Sequence, residues 1–158
     1  MSDCYQLDEI DQKILWRLMR EGRTTWSELG SYLGLSAPAA ADRVRRLEER
    51  GFIKGYAALV DAETICGVTA YISVILDHPD NRAGFLEAVD RLDAIQECHH
   101  VAGEGDYLLK VRCRSLRELE TLVSITLKGL RGVVKTQTTI LLSTVKETAI
   151  LPLAVMED

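Results

Sequence analysis

Leu7, Ile10, Ile14 and Leu18 recur at steps of three and four, the spacing that lines apolar side chains along one stripe of a helix. The pattern predicts a helix from Asp8 to Glu21, closed by Gly22. Thr25 and Glu28 form a capping box, which predicts a short second helix with Leu29 and Leu33 on one face and Gly34 as its stop. Ser36 is a good N-cap for a third helix, because its hydroxyl accepts an orphan backbone N–H and Pro38 in the first turn gives up no needed donor. Ala40, Val44 and Leu47 form its buried stripe, Gly51 closes it, and Phe52 to Val60 reads as an extended, wing-like segment.

The pattern changes beyond that point. Val68 to Asp77 is rich in β-branched residues and reads as a strand, and Asp80 to Leu92, with Phe85, Val89 and Leu92 in helical spacing, reads as a helix. Ile95 to Ala102 and Asp106 to Cys113 read as strands joined by Gly103-Glu104-Gly105, a link suited to a hairpin. Ser115 and Glu118 form a second capping box ahead of a helix that ends near Gly129, and Val133 to Val145 is a last strand with Thr136, Thr138, Ile140 and Leu142 on one face. The order β-α-β-β-α-β is that of a ferredoxin-like sandwich. The expected class is therefore α+β. Residues 1–60 form a winged helix-turn-helix, 61–67 a linker, 68–147 the sandwich, and 148–158 a tail that is disordered or docked through Ile150, Leu151, Leu153 and Val155.

Composition narrows the function classes. The 158 residues are 47% hydrophobic and 27% charged, close to globular averages, and too few for a large multi-domain enzyme. No stretch is long and apolar enough to span a bilayer and the N-terminus lacks signal-peptide character, so a cytoplasmic protein without a membrane partner is expected. Cys4, Cys66, Cys98 and Cys113 include no C-x-x-C pair, which points to reduced thiols and to no zinc site. The net charge of −5 is unevenly spread: residues 1–60 carry nine basic and nine acidic side chains, the remainder ten and fifteen. Trp16 and Trp26 read as core or helix-packing residues.

Two short helices joined by Gly34-Leu35-Ser36, the second rich in arginine, fit a helix-turn-helix that lays its second member in the major groove. Ser36, Ala39, Ala40 and Arg43 then lie nearest the bases, Arg43 being able to contact guanine in a bidentate manner. Arg45, Arg46 and Lys54 are placed to neutralise phosphates. A solvated Arg/Glu surface helix is the plainer alternative.

At this point the chain resembles the Lrp/AsnC family, the feast/famine transcriptional regulators. The resemblance rests on Leu7-Asp8-x-x-Asp11-x-x-Ile14-Leu15, Leu33-Gly34-Leu35-Ser36 and Arg43-Val44-x-Arg46-Leu47-Glu48-x-x-Gly51-x-Ile53-x-Gly55-Tyr56. Further on, Val101-x-Gly103-x-x-Asp106-Tyr107-Leu108-Leu109 and Gly132-Val133-x-x-Thr136-x-Thr138 carry it to about residue 146. It implies a winged helix-turn-helix that binds double-stranded DNA and a sandwich that dimerises and binds an amino-acid effector, with a homodimer assembling to a tetramer or octamer. The run Ala37-Pro38-Ala39-Ala40-Ala41-Asp42 departs from the polar or basic recognition face common in the family.

The turn through Gly103, Gly105 and Asp106 brings backbone N–H groups and a carboxylate together, a suitable seat for a zwitterion; a plain hairpin in which Asp106 caps its own turn competes with this. The resemblance implies that Gly103 and Asp106 line the effector pocket, with Tyr107 beside them and Thr136 and Thr138 on a nearby strand. His99 and His100 point to opposite faces of one strand and so do not ligate one ion together; no metal, no cofactor and no catalytic residue is expected. Two other readings stand beside a DNA-binding regulator: a tetrapyrrole decarboxylase of related architecture, and an effector-sensing module without DNA binding.

Overall fold

The computed structural model describes residues 7–153. Cys4 and Val155, both named above, lie outside the described residues. The described residues divide into two compact units, one comprising residues 7–58 and 146–153, the other residues 59–145.

The first unit holds α1 (Glu9–Arg20), α2 (Trp26–Leu33) and α3 (Ala37–Glu49). Each begins at a side chain that satisfies a free helix N–H. Asp8 accepts from the Asp11 N–H at 2.7 Å, Thr25 and Glu28 complete their reciprocal box, and Ser36 accepts from the Ala39 N–H. Gly34, at φ 67°, ends α2 in the left-handed conformation that turns the chain into α3. Ile14, Leu29, Ala40, Val44 and Leu47 form the core of the three helices, with Leu7, Ile10, Leu15, Leu18, Leu33 and Ile53 packed around it. The chain beyond Gly51 departs from expectation. No strand forms between Phe52 and Val60, so among the described residues there is no β-wing. Trp26, expected to pack, opens α2 on the surface, while Trp16 stacks on Tyr32 at 6.4 Å. From the tail, the Leu151 N–H donates to Met19 Sδ of α1 at 3.4 Å.

The second unit begins with a helix where a linker was expected. In α4 (Ala62–Cys66), Asp61 accepts from the Thr64 N–H and hydroxyl, and Gly67 terminates the turn. A four-stranded antiparallel sheet follows, built from β1 (Val68–Leu76), β2 (Ile95–His100), β3 (Tyr107–Cys113) and β4 (Val133–Ile140) in the order β2-β3-β1-β4. A crossover through α5 (Arg82–Asp90) joins β1 to β2, and one through α6 (Leu116–Thr121) joins β3 to β4. That is the sandwich expected from the element order. Beyond Thr121, α6 widens into a π-helical stretch, Leu122–Leu127, whose first and last leucines are buried. The capping box predicted at Ser115 is only half made: its hydroxyl accepts from the Glu118 N–H, but the Glu118 carboxylate takes the Arg114 N–H instead.

Strand register sorts the side chains into two faces. Ala70, Ile72 and Val74 lie in rows with Val111, Leu109 and Tyr107 on one side and Ile140, Thr138 and Thr136 on the other. This face meets Phe85 and Val89 of α5, Leu119 of α6 and Leu122 and Leu127 of the π-helical stretch to form the core. The opposite face carries Tyr71, Ser73 and Ile75 with Lys110, Leu108, Gln137 and Lys135, and no helix of the unit covers it. The final strand stops at Ile140, short of the predicted Val145, and Leu142 is almost fully exposed.

Candidate functional site

The elbow between α2 and α3 depends on a residue that the sequence pattern did not single out. A Cβ on Gly30 would lie 2.8 Å from the Leu35 carbonyl oxygen, 3.1 Å from the Ala37 nitrogen and 3.2 Å from the Ser36 carbonyl carbon. Only a bare Cα lets the turn backbone press this closely against α2, and that contact fixes where α3 starts.

On α3, Ser36, Ala39, Arg45 and Arg46 are exposed, as is Lys54 beyond the helix. Ala40 is fully buried in the three-helix core with Ile14, Leu29, Val44 and Leu47, which conflicts with its assignment as a base-contacting residue, because a side chain without exposed surface cannot touch a base edge. Arg43 is engaged elsewhere. Its Nη1 lies 2.7 Å from Asp8 and 2.8 Å from Asp11, carboxylates of the first turn of α1, and Arg50 reaches the other oxygen of Asp11 at 3.6 Å. Asp11 is 7% exposed, so this pairing offsets a real desolvation cost. Arg43 thus ties α3 to α1.

The Arg43 hydrogen bond, followed by the Asp11 N–H, holds the Asp8 carboxyl below the usual aspartate range. Folding therefore favours its ionised form, a contribution that is complete above the ordinary value of 3.8 and lost as pH falls through the lower folded value. Asp8→Ala is expected to make the melting temperature less sensitive to acidification below pH about 4, by a small amount because Asp8 is half exposed; thermal melts across pH check this. Past α3, the Tyr56 hydroxyl donates to Glu48 at 2.8 Å, and burial together with that carboxylate pushes the phenol up to about 12.

In the second unit, the Gly103–Asp106 loop is drawn onto the end of β1. The Asp106 N–H donates to the Val74 carbonyl at 2.9 Å, and the Asp106 carboxylate accepts from the Leu76 N–H at 2.7 Å. Asp106 therefore holds β1, with one oxygen already engaged. A Cβ on Gly105 would sit 2.1 Å from Ser73 Oγ, so Gly105 lets the loop close, whereas Gly103 faces open space.

Beside this loop an open hollow lies on the uncovered face, lined by Ser73, Ile75, Glu104, Lys135 and Gln137. A cation, an anion and two neutral hydrogen-bonding side chains converge there. Tyr107, Thr136 and Thr138 are not part of it, since their register with Val74 and Ile72 puts them on the opposite side of the sheet, where Tyr107 is buried and Thr138 is exposed on the edge strand. Tyr107 is buried against Phe85 and His100, and its hydroxyl and that of Thr136 lack protein partners. His99 pairs with Glu97 on the other face, apart from His100.

Two family models match the chain. An AsnC-type helix-turn-helix domain matches residues 7–48 and an Lrp/AsnC ligand binding domain matches residues 69–151. The chain belongs to the Lrp/AsnC family. It is a transcriptional regulator with a DNA-binding helix-turn-helix. The leucine-responsive regulatory protein of Escherichia coli is 40% identical over 144 residues, covering 89% of this chain and 88% of that one. Among solved Lrp/AsnC structures, a transcriptional regulator from Neisseria meningitidis in complex with L-methionine superposes with a TM-score of 0.89 at 33% identity, over 94% of this chain and 98% of that one. A Mycobacterium tuberculosis feast or famine regulatory protein complexed with L-methionine gives 0.83 at 34% identity, over 90% and 96%. Among the described residues, no helix of this Lrp/AsnC protein is long and apolar enough to cross a membrane.

Proposed function

We propose that this regulator binds duplex DNA through the exposed side of α3, and that an amino acid seated in the hollow beside Glu104 modulates that binding. Residues 1–60 serve as the DNA-binding part and 68–147 as the sensing part, and the reading contains no catalytic step. Ser36 and Ala39 face the bases while Arg45, Arg46 and Lys54 meet phosphates. Arg43 acts as a tie between helices. The effector reading is carried by one observation: Lys135 and Glu104 line the same hollow, so a ligand carboxylate and ammonium each find an opposite charge, with Ser73 and Gln137 as hydrogen-bond partners. The L-methionine in two solved relatives and the leucine-responsive name of another support an amino acid of apolar side chain. Gly105 and Asp106 hold the Glu104 loop in place. In this reading Gly103, Tyr107, Thr136 and Thr138 make no direct ligand contact.

The uncovered sheet face, which carries Tyr71, Ile75 and Leu108, supports pairing with a second copy of the chain; further assembly of that homodimer and a cytoplasmic location belong to the same proposal. Effector binding alters DNA affinity if it favours one assembly over another. Thermal-shift measurements with each of the twenty amino acids test the site, since a ligand bound only by the folded form raises its melting temperature. Methionine or leucine is expected to raise it in the wild type, and Lys135→Ala and Glu104→Gln are expected to remove the shift while melting as the wild type does without ligand. A full shift in both variants would move the ligand elsewhere.

A further inference from the structure

Four arginines lie on or at the end of α3, and the fold splits them into two sets. Arg43 and Arg50 turn to the acids of α1. Arg45 and Arg46 are exposed on α3, and one carboxylate holds both: Oδ1 of Asp42 takes Arg45 Nη2, while its Oδ2 takes Arg46 Nη2 at 2.7 Å. Arg45 additionally lies 3.6 Å from Glu49. Asp42 thus presents one oxygen to each of two guanidiniums, the arrangement that a backbone phosphate adopts when two arginines bind it.

We infer that Asp42 acts as a built-in competitor of the DNA backbone, occupying the phosphate-binding edges of Arg45 and Arg46 in the free protein and thereby setting a low affinity for duplexes of any sequence. This rests on the reading that the exposed side of α3 meets DNA. Binding is then an exchange. The two carboxylate–guanidinium pairs open, guanidinium–phosphate pairs form, and a hydrated carboxylate remains close to the polyanion. Exposed pairs at these spacings do little for helix stability, so the residue is dispensable to the fold. Its charge weakens binding all the same, because nonspecific affinity is almost wholly electrostatic and each phosphate contact withheld lowers both the affinity and its dependence on salt. The family-like scaffold is retained while this helix, poor in base-reading side chains, is kept from settling on arbitrary sequence. Specific sites are then favoured through shape and through contacts made by the assembled protein.

The test uses the full-length protein and fluorescence anisotropy on labelled duplexes of about 30 base pairs and unrelated sequences, long enough for two half-sites one turn apart. Asp42→Asn is expected to bind every duplex roughly 3- to 10-fold more tightly at low salt, with a log–log salt slope steeper by about one phosphate contact and an unchanged melting temperature. Asp42→Glu keeps the charge and is expected to bind like the wild type. Glu49→Gln removes the same charge from the same helix but releases only the longer contact to Arg45, and is expected to gain clearly less. The inference fails if Asp42→Asn binds no more tightly than the wild type, or if Glu49→Gln gains as much, which would reduce the effect to net charge. A wild type that binds no duplex at all would overturn the placement of DNA on α3 and this inference with it, whereas binding by the wild type with an unaltered Asp42→Asn overturns this inference alone.

Discussion

Gly30→Ala is expected to lower the stability of the helical unit by about 1–2 kcal/mol and to abolish DNA binding. Two effects oppose each other. Alanine in the interior of a helix is worth about 1 kcal/mol over glycine, so propensity alone predicts a stabilised protein. The new methyl, however, meets three backbone atoms of the α2–α3 turn at 2.8, 3.1 and 3.2 Å, and backbone cannot rotate aside as a side chain can. Overpacking of this kind costs about 1–3 kcal/mol and is relieved by pushing α3 away from α2, so the clash wins and the recognition helix is displaced. Gly84 supplies the control. It lies inside α5 with nothing within 4 Å of its would-be Cβ, and Gly84→Ala is expected to stabilise the sandwich by about 0.5–1 kcal/mol. Chemical denaturation of the two variants, with DNA binding alongside, decides the matter; a Gly30→Ala protein that is more stable than the wild type would show that the elbow yields freely.

Arg43→Ala is the second large effect. It strips the carboxylate of Asp11 of its 2.8 Å partner and leaves it with Arg50 at 3.6 Å. A charge this buried and poorly paired costs about 1–3 kcal/mol, and the partial exposure of Arg43 and the presence of Arg50 place the expected loss near the middle of that range. DNA binding should fall because α3 loses its tie to α1. Arg46→Ala is expected to differ in stability: its guanidinium is exposed, so melting should be unchanged while binding weakens equally across sequences. Thermal melts and anisotropy on both variants separate the roles. Normal melting of Arg43→Ala combined with relaxed base preference would return Arg43 to the groove.

The same residues show what a linear sequence discloses. Ser36, Thr25 with Glu28, and Asp61 act through atoms two or three residues away, and the first two were readable as caps because the chemistry is local. The partners of Arg43 lie 32 and 35 residues upstream; a helical wheel shows which side of α3 it occupies but not that α1 brings two acids to that side. Ala40 illustrates a conflict already present in the pattern, since the apolar stripe and the base-contacting turn claimed it together and burial prevailed. In the sandwich, alternation placed Thr136 and Thr138 on one face correctly. Which face that was depended on the register with Val74 and Ile72, and so the hollow formed by Ser73, Lys135 and Gln137 stayed out of sight. The five residues of α4 are too few to show a period, and the extended pattern of Phe52 to Val60 found no neighbouring strand with which to pair.

The grouping of the last residues with the helical unit, made tangible by the Leu151 bond to Met19, also orders the events of biosynthesis. Residues 59–145 are contiguous, so the ribosome delivers everything the sandwich needs before it delivers the closing piece of the unit that was begun first. Of the two units, the helical one is therefore begun before the sandwich and receives its Leu151 contact after it.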